Sequence, residues 1–421
     1  MRRKLCWVVL VLLLLAIPVV GACAPKAAPP GEGEKAEIII GYLEGMTGPL
    51  AGTAIPYVDG GQDAIRYINE EKGGVLGYKI KPTIIDFKMD AAAAFAGWDR
   101  FRSEGAPVVM AQTAATAALW EMPNRDFIPM VVGGGASVDA VFPKEPSYLF
   151  AVTPVLLRLF NSWVNVVADD WAASGKPGSP KVGYDFASIG TMPTMFTKNV
   201  KMLMDERGWE YVITRSSIAA ADATTQVLQM KNLGCDYVYL YNTETTIIVF
   251  VRELDRQNFS PKITGTSALA SEETWRAVGD LVVGASMPQF SVQWTETDVP
   301  GVKLLHELNQ KWHPNVKSRS SHYCRGFAEL LVVAKGLEMA VENVGYENLT
   351  GDAVKQSLET IKDYDPMEMG MGYTWTPTDH QGLHGCRWYQ WTKDGLLTPI
   401  TDWDILPPIP EGQRTDAYWM Q

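Results

Sequence analysis

The chain has 421 residues, 47% of them apolar and 20% charged, and a formal net charge of −11. An acidic chain without a basic stripe argues against nucleic acid as a partner. The length exceeds one ordinary core and predicts two domains.

Arg2, Arg3 and Lys4 precede an apolar run from Leu5 to Val20, broken only by Pro18, and Val20-Gly21-Ala22-Cys23 follows. A basic start, a short apolar core and a small-residue cleavage site mark a signal peptide. The run is shorter than the roughly 20 residues a spanning helix needs. The segment resembles a bacterial lipobox, with Val20 where leucine is commonest. Residues 1–22 are therefore expected to be removed and Cys23 to be acylated, which places the body outside the cytoplasm. Residues 23–36, rich in Ala, Pro, Gly and Glu, bury no apolar face and read as a flexible tether. Acyl chains supply the membrane affinity, so the body is expected to touch the membrane only through Cys23. Of five cysteines, Cys6 leaves with the signal and Cys23 carries lipid. Three cannot pair completely, so no disulfide framework is expected. Cys324 with Cys386 stays open as a bridge, against the alternative of small buried hydrophobes.

From Glu37 the apolar pattern alternates between strand and helix. Glu37–Gly41 reads as a buried strand, Met46–Gly52 as a polar Gly/Pro loop, and Tyr57–Glu71 as a helix ended by the turn Gly73–Gly77. Strands follow at Ile80–Asp86, Val108–Met110 and Pro129–Val132, separated by helices at Ala91–Glu104 and Ala115–Asn124. The rhythm then restarts. Strands are predicted at Lys181–Tyr184, Tyr211–Thr214, Asp236–Tyr241 and Lys262–Gly265. Helices are predicted at Thr194–Arg207, Thr224–Leu233, Thr245–Gln257 and Ser271–Val278, and a long one at Phe327–Val344. Two such βα sets predict an α/β protein with two doubly wound parallel-sheet lobes.

The order of these segments resembles the type I periplasmic binding proteins of branched-chain amino acid transporters, over about Glu37 to Trp403. Ile38-Ile-Ile-Gly-Tyr-Leu-Glu-Gly-Met-Thr-Gly-Pro-Leu-Ala-Gly52 is similar to that family's opening strand and Thr-Gly-Pro loop. Ile68-Asn69-Glu70 with Gly73–Gly77, Phe127–Gly133 and Asp379-His380-Gln381-Gly382 add further similar stretches. The resemblance implies two lobes joined by three hinge crossovers, near Val152–Pro154, Ser286–Pro288 and Gly372. It assigns 37–153 and 287–371 to an N-terminal lobe, 154–286 and 372–404 to a C-terminal lobe, and 405–421 to a tail. It also implies a receptor that traps a small molecule between the lobes and delivers it to an ABC permease, acting as a monomer.

Ligands of open parallel sheets bind beyond the carboxyl ends of the strands. Three loops qualify in the first lobe: Thr47–Gly52 with Leu50 and Ala51, Gln112–Thr116, and Gly133–Ser137. Small residues let backbone approach a ligand, and helix-start N–H groups favour an anion. Thr113, Ala114, Ala115, Thr116, Gly134, Gly135, Ala136 and Ser137 are the candidates there. In the second lobe Ile189 and Thr266 take the corresponding places, and the resemblance adds Tyr241, Tyr323 and Phe327. Trp120 is weighed as a cleft residue against a core one. The family's amino-acid binders carry serines where Ala114 and Ala115 stand. They also carry a tyrosine where this chain has Ser188-Ile189-Gly190, and an acid where it has Thr266-Ser267. Glu244 stands as a substitute acid or as an ordinary helix-start carboxylate. These departures point toward a neutral or anionic ligand, such as an amide, a keto acid or an aromatic acid, alongside an amino-acid-like one.

No catalytic motif is present: Gly-x-Ser-x-Gly, Walker A and His-Glu-x-x-His are all missing. Gly382 and Gly385 put His380 and His384 in a turn rather than on one helix face, which is poor metal-ligand spacing. No enzyme activity, cofactor or metal is therefore expected. The alternative to a transport receptor is a ligand-sensing lipoprotein of the same fold that feeds a signalling partner.

Overall fold

The computed structural model describes residues 36–133, 138–143, 147–188 and 192–421. The signal segment, Cys23 and the tether lie outside them, as do Gly134, Gly135, Ala136, Ser137 and Ile189. The first part alternates β1 (Ile38–Glu44), α1 (Ala51–Glu71), β2 (Ile80–Asp86), α2 (Ala91–Glu104), β3 (Val109–Gln112), α3 (Thr113–Leu119), α4 (Met122–Asp126), β4 (Met130–Gly133), α5 (Val138–Val141) and β5 (Leu149–Ala151). Its strands are all parallel, in the order β2-β1-β3-β4-β5. β-Branched runs such as Ile38-Ile39-Ile40 suit strands covered on both faces. Helix α1 begins six residues before the apolar periodicity shows itself, so the start of the polar loop's partner helix is Ala51 and not Tyr57.

The second part runs α6 (Leu156–Ser174), β6 (Lys181–Ala187), α7 (Met192–Arg207), β7 (Glu210–Ser216), α8 (Thr224–Leu233), β8 (Tyr237–Tyr241), α9 (Glu244–Arg256), β9 (Lys262–Gly265), α10 (Glu272–Val278) and β10 (Ser286–Gln289). Helix α6 occupies a stretch for which no element is predicted. Its buried Leu157, Phe160, Val164 and Val167 nevertheless follow helical spacing. The chain continues through α11 (Pro300–Trp312), α12 (Ser321–Val344), α13 (Gly351–Leu358), β11 (Gly385–Trp391), β12 (Leu397–Pro399), β13 (Asp404–Ile405) and α14 (Asp416–Met420). The second sheet is ordered β12-β11-β10-β9-β8-β6-β7.

The two α/β lobes are as expected, and the second sheet is mixed, because β11 runs antiparallel to both β10 and β12. Only residues 392–396 separate β11 from β12. A parallel pair needs a crossover of a dozen residues or more, so so short a link closes a hairpin.

Helix α12 returns to the first sheet and lies along α1. A Cβ on Gly326 would collide with the Tyr57 carbonyl, and one on Gly60 with the Tyr323 carbonyl, so the two backbones touch. Residues 372–382 also stay with the first sheet: Gln381 bridges Ala151, and the Gly382 N–H donates to the Ala151 carbonyl (2.7 Å). The last passage between sheets therefore falls near His384, about ten residues beyond the expected Gly372. Residues 405–421, assigned to a tail, carry a short helix that packs on the second part. Helix α14 lies on α7, and Trp419 is buried. Cys324 and Cys386 are both free buried thiols, so the bridge left open by the sequence is not made.

Candidate functional site

Where strand order reverses in an open sheet, adjacent loops diverge and leave a crevice at the carboxyl ends. In the first sheet that point lies between β1 and β3, and in the second between β6 and β8. The first crevice is formed by Gly45–Leu50 and by Gln112 with the start of α3, the second by Ser188 and Asn242–Glu244. The Gly45 N–H donates to Gln112 Oε1 (3.2 Å) and ties the first pair of loops together. The Met46 N–H donates to Asp86 Oδ1 (3.0 Å), fixing the same loop to the end of β2.

The two crevices face each other. A Cβ built on Gly52, in the first turn of α1, would overlap the carboxylate of Glu244 on the opposite lobe and lie 2.9 Å from Glu273 Oε2. The lobes are thus closed at this point. Pro56 has no N–H, so the Gly52 carbonyl lacks its helical partner beside that carboxylate. Glu244 is 5% exposed, opens α9 behind the Thr243 cap, and leaves Oε1 without a hydrogen-bond partner among the described residues. Burial pushes its carboxyl up to about 7; Ser271 and Arg276 act against the rise and Glu273 adds to it. Glu244 puts a buried acidic group after β8, one strand earlier in the sheet than Thr266-Ser267.

A second polar cluster lies under the first crevice, on the face of the sheet covered by α1 and α12. Tyr57 Oη donates to Glu329 Oε2 (2.7 Å), and Arg325 Nε stands 3.6 Å from Glu329 Oε1. The Arg325 guanidinium lies 5.1 Å from the Tyr57 ring centroid and 5.5 Å from that of Phe290, beyond the end of β10. Glu44, the last residue of β1, is 2% exposed. Burial holds its carboxyl well above the ordinary range, with Arg325 opposing and Glu329 reinforcing the rise. Burial raises Glu329 to about 7 against Arg325 and the Tyr57 hydrogen bond. One guanidinium therefore serves two buried carboxyls. Tyr42 Oη, Glu44 Oε1 and Glu329 Oε1 make no hydrogen bond among the described residues. In the second lobe Asp185 is buried at β6, where Thr214 and Ser216 hydroxyls (2.8 Å each) and the Asn242 amide (3.3 Å) donate to it.

The sequence candidates divide between these places. Leu50 and Ala51 start α1 at the closed contact, and Thr113 starts α3 at the crevice. Ala114 is half-buried, Ala115 belongs to the first-lobe core, and Thr116 is buried with Oγ1 unpartnered. Tyr241 ends β8, its ring against Phe196 (4.8 Å between centroids). Thr266 lines a small hinge cavity of about 20 Å3 with Pro154, Pro288 and Phe290. Tyr323 and Phe327 do not reach the crevice. Tyr323 Oη donates to Asp63 of α1 (2.7 Å), and Phe327 sits against Tyr67 of α1, so both belong to the helix contact. Trp120 is 39% exposed, neither core nor wall. Arg325 and Glu329, on the adjacent face of α12, take the place expected of Tyr323 and Phe327. A charged pair four residues apart inside the buried stretch from Ser321 to Ala334 is the signal that marks them.

His380 is buried against Phe150, with Nδ1 2.8 Å from the Leu149 carbonyl and Nε2 3.0 Å from Glu359. It braces the passage beside β5. Among the described residues no group of three or more His, Cys, Asp or Glu side chains is arranged for a metal, and no helix is long and apolar enough to cross a membrane.

Comparison with known proteins agrees with this architecture. A branched-chain amino acid ABC transporter protein from Thermus thermophilus with bound valine superposes with a TM-score of 0.77 at 18% identity, covering 89% of this chain and 97% of that one. A fatty acid ABC transporter substrate-binding protein from Thermomonospora curvata gives 0.77 at 16%, covering 90% and 96%. An ABC transporter substrate-binding protein from Aeropyrum pernix gives 0.77 at 17%, covering 92% and 100%. These likenesses concern the fold. The family model described as "Periplasmic binding protein" matches residues 37–395. The chain therefore belongs to the periplasmic binding proteins, with the type I fold of ABC transporter substrate-binding proteins.

Proposed function

We propose that this protein is an extracytoplasmic, lipid-anchored receptor that captures a small polar molecule between its lobes and hands it to an ABC permease. One observation carries the reading: the switch points of the two sheets face each other across the contact between Gly52 and Glu244. Capture by lobe closure needs such a meeting of strand ends. The lipid anchor rests on the sequence from Arg2 to Cys23.

The acidic groups of the crevice revise the expected ligand chemistry. Glu244, Glu44 and Glu329 are acceptors in waiting, and burial keeps them from ionising freely. A ligand rich in N–H donors, amino-acid-like or an amide, satisfies them. A keto acid brings its own negative charge to carboxyls that burial already disfavours as anions, and Arg325 is shared by two of them.

A thermal-shift screen over neutral amino acids, small amides and keto acids tests this. A ligand that binds only the folded state at about 100 times its Kd adds about 2.7 kcal/mol of stability. Amino acids or amides should stabilise the protein, and Glu244→Gln should weaken the effect. Stabilisation by keto acids alone would overturn the donor-rich reading.

A further inference from the structure

A second cavity, of about 240 Å3, opens between the lobes on the flank where β11 and β12 form the sheet edge. From the second lobe come Trp275 and Arg276 of α10, Trp391 of β11 and the turn at Gly395. From the first-sheet side come Gln293, Trp294 and the segment Ser318–Ser321 that leads into α12. None of these groups lies on the loops that form the strand-end crevice, although Arg276 acts on the Glu244 carboxyl there.

Several independent features of its wall have one sense. Helix α12 is 24 residues long, and its first N–H groups have no partner within the helix. The helix start carries partial positive charge and favours an anion. The Ser320 cap makes no side-chain capping bond. Ser321 and Gln293 are 6% and 5% exposed, line the cavity, and leave Oγ and Nε2 without a partner. An amide N–H2 and two hydroxyls are therefore buried with donor capacity to spare. Arg276 and Arg319 add two positive charges, against one carboxylate, Glu272. Glu272 Oε1 already accepts from Ser318 (2.7 Å), and Arg319 Nε is given to Asn309 (3.0 Å). Opposite the polar wall, Trp275 and Trp391 stack with centroids 5.2 Å apart.

We propose that this flank cavity binds a small aromatic carboxylate, its charge held by Arg276 and the start of α12 and its ring against the tryptophan pair. Because Arg276 and Ser321 come from different lobes, an occupant bridges them and favours the closed arrangement. The site lies beside the strand-end crevice, with Arg276 near enough to Glu244 to favour its ionised form, and takes a ligand of opposite charge preference.

Benzoate is the probe, with benzamide as its neutral isostere, on the intact chain and followed by tryptophan fluorescence and thermal shift. Benzoate should bind at least ten-fold more tightly than benzamide. Arg276→Gln and Ser321→Ala should each weaken benzoate about ten-fold or more. The unliganded melting temperatures of the two flank variants show whether they fold as wild type. Equal binding of benzoate and benzamide, benzoate binding unaltered in a folded Arg276→Gln protein, or no benzoate binding at millimolar concentration would each overturn the proposal. Loss of benzoate binding in Glu244→Gln alone would move it into the strand-end crevice and overturn it as well.

Discussion

Gly52 of α1 and Glu244 of α9 stand so close across the two lobes that no side chain fits between them. The glycine is helical, so alanine there is locally acceptable and adds roughly 0.5–1 kcal/mol of helix stability. What alanine prevents is the approach of Glu244. Gly52→Ala should therefore melt no lower than wild type without ligand, yet bind ligand about ten-fold more weakly or worse. Small-angle scattering should show it failing to compact on saturation. Undiminished affinity would show that closure does not need this contact.

Glu244 also predicts a pH dependence. Its carboxyl is raised to about 7 by burial and is ordinary in the unfolded chain. Between about pH 4.5 and 7 the folded protein holds a proton that the unfolded chain has released, so stability falls as pH rises through that window. A shift of that size corresponds to about 1–3 kcal/mol. Glu244→Gln should flatten part of the decline in melting temperature between about pH 5 and pH 8. The rest remains with Glu329, which burial raises similarly.

The glycine contact between α1 and α12 is a packing prediction. A Cβ on Gly326 runs into the Tyr57 carbonyl, and backbone cannot swing aside as a flexible side chain would. Gly326→Ala should cost about 1–3 kcal/mol, the usual range for overpacking. Gly105→Ala, at a left-handed cap with open space around it, is a comparison in which only backbone strain acts. Urea midpoints would separate the two, and an unaffected Gly326→Ala protein would contradict the close approach.

Most strands and helices of the two α/β sets were legible where their apolar periods switch cleanly, as at Ile80–Asp86 and Ala91–Glu104, but β5 and α6 were not. The face of α12 was not. From Ser321 to Leu337 nearly every residue is buried, so hydrophobic pattern gives no preferred side. The phase of that helix is set by Gly60 and Gly326, through a contact between segments more than two hundred residues apart. It turns Tyr323 and Phe327 onto α1 and leaves Arg325 and Glu329 for the sheet face. Glu44 was hidden for a related reason. One carboxyl at the end of a strand reads as a solvated end, and only the cover of α1 and α12 makes it a buried group.

Arg325 gives the sharpest test of that cluster. Its guanidinium is the cation that opposes the raised pKa of both Glu44 and Glu329. Arg325→Met keeps most of the volume and removes the charge, leaving two buried carboxyls to ionise beside each other. Removing one partner of a buried charge set costs about 3–5 kcal/mol. That cost applies only where the carboxyls must ionise. With the folded values raised further, their stabilising protonation is complete at low pH and lost as pH rises. The deficit of Arg325→Met against wild type should thus be small near pH 5 and approach its full size near pH 8. Adding Glu329→Gln should restore much of the loss at the higher pH, because only one acid then needs a partner. Chemical denaturation of the three proteins at both pH values measures this, and a deficit independent of pH would assign Arg325 a packing role alone.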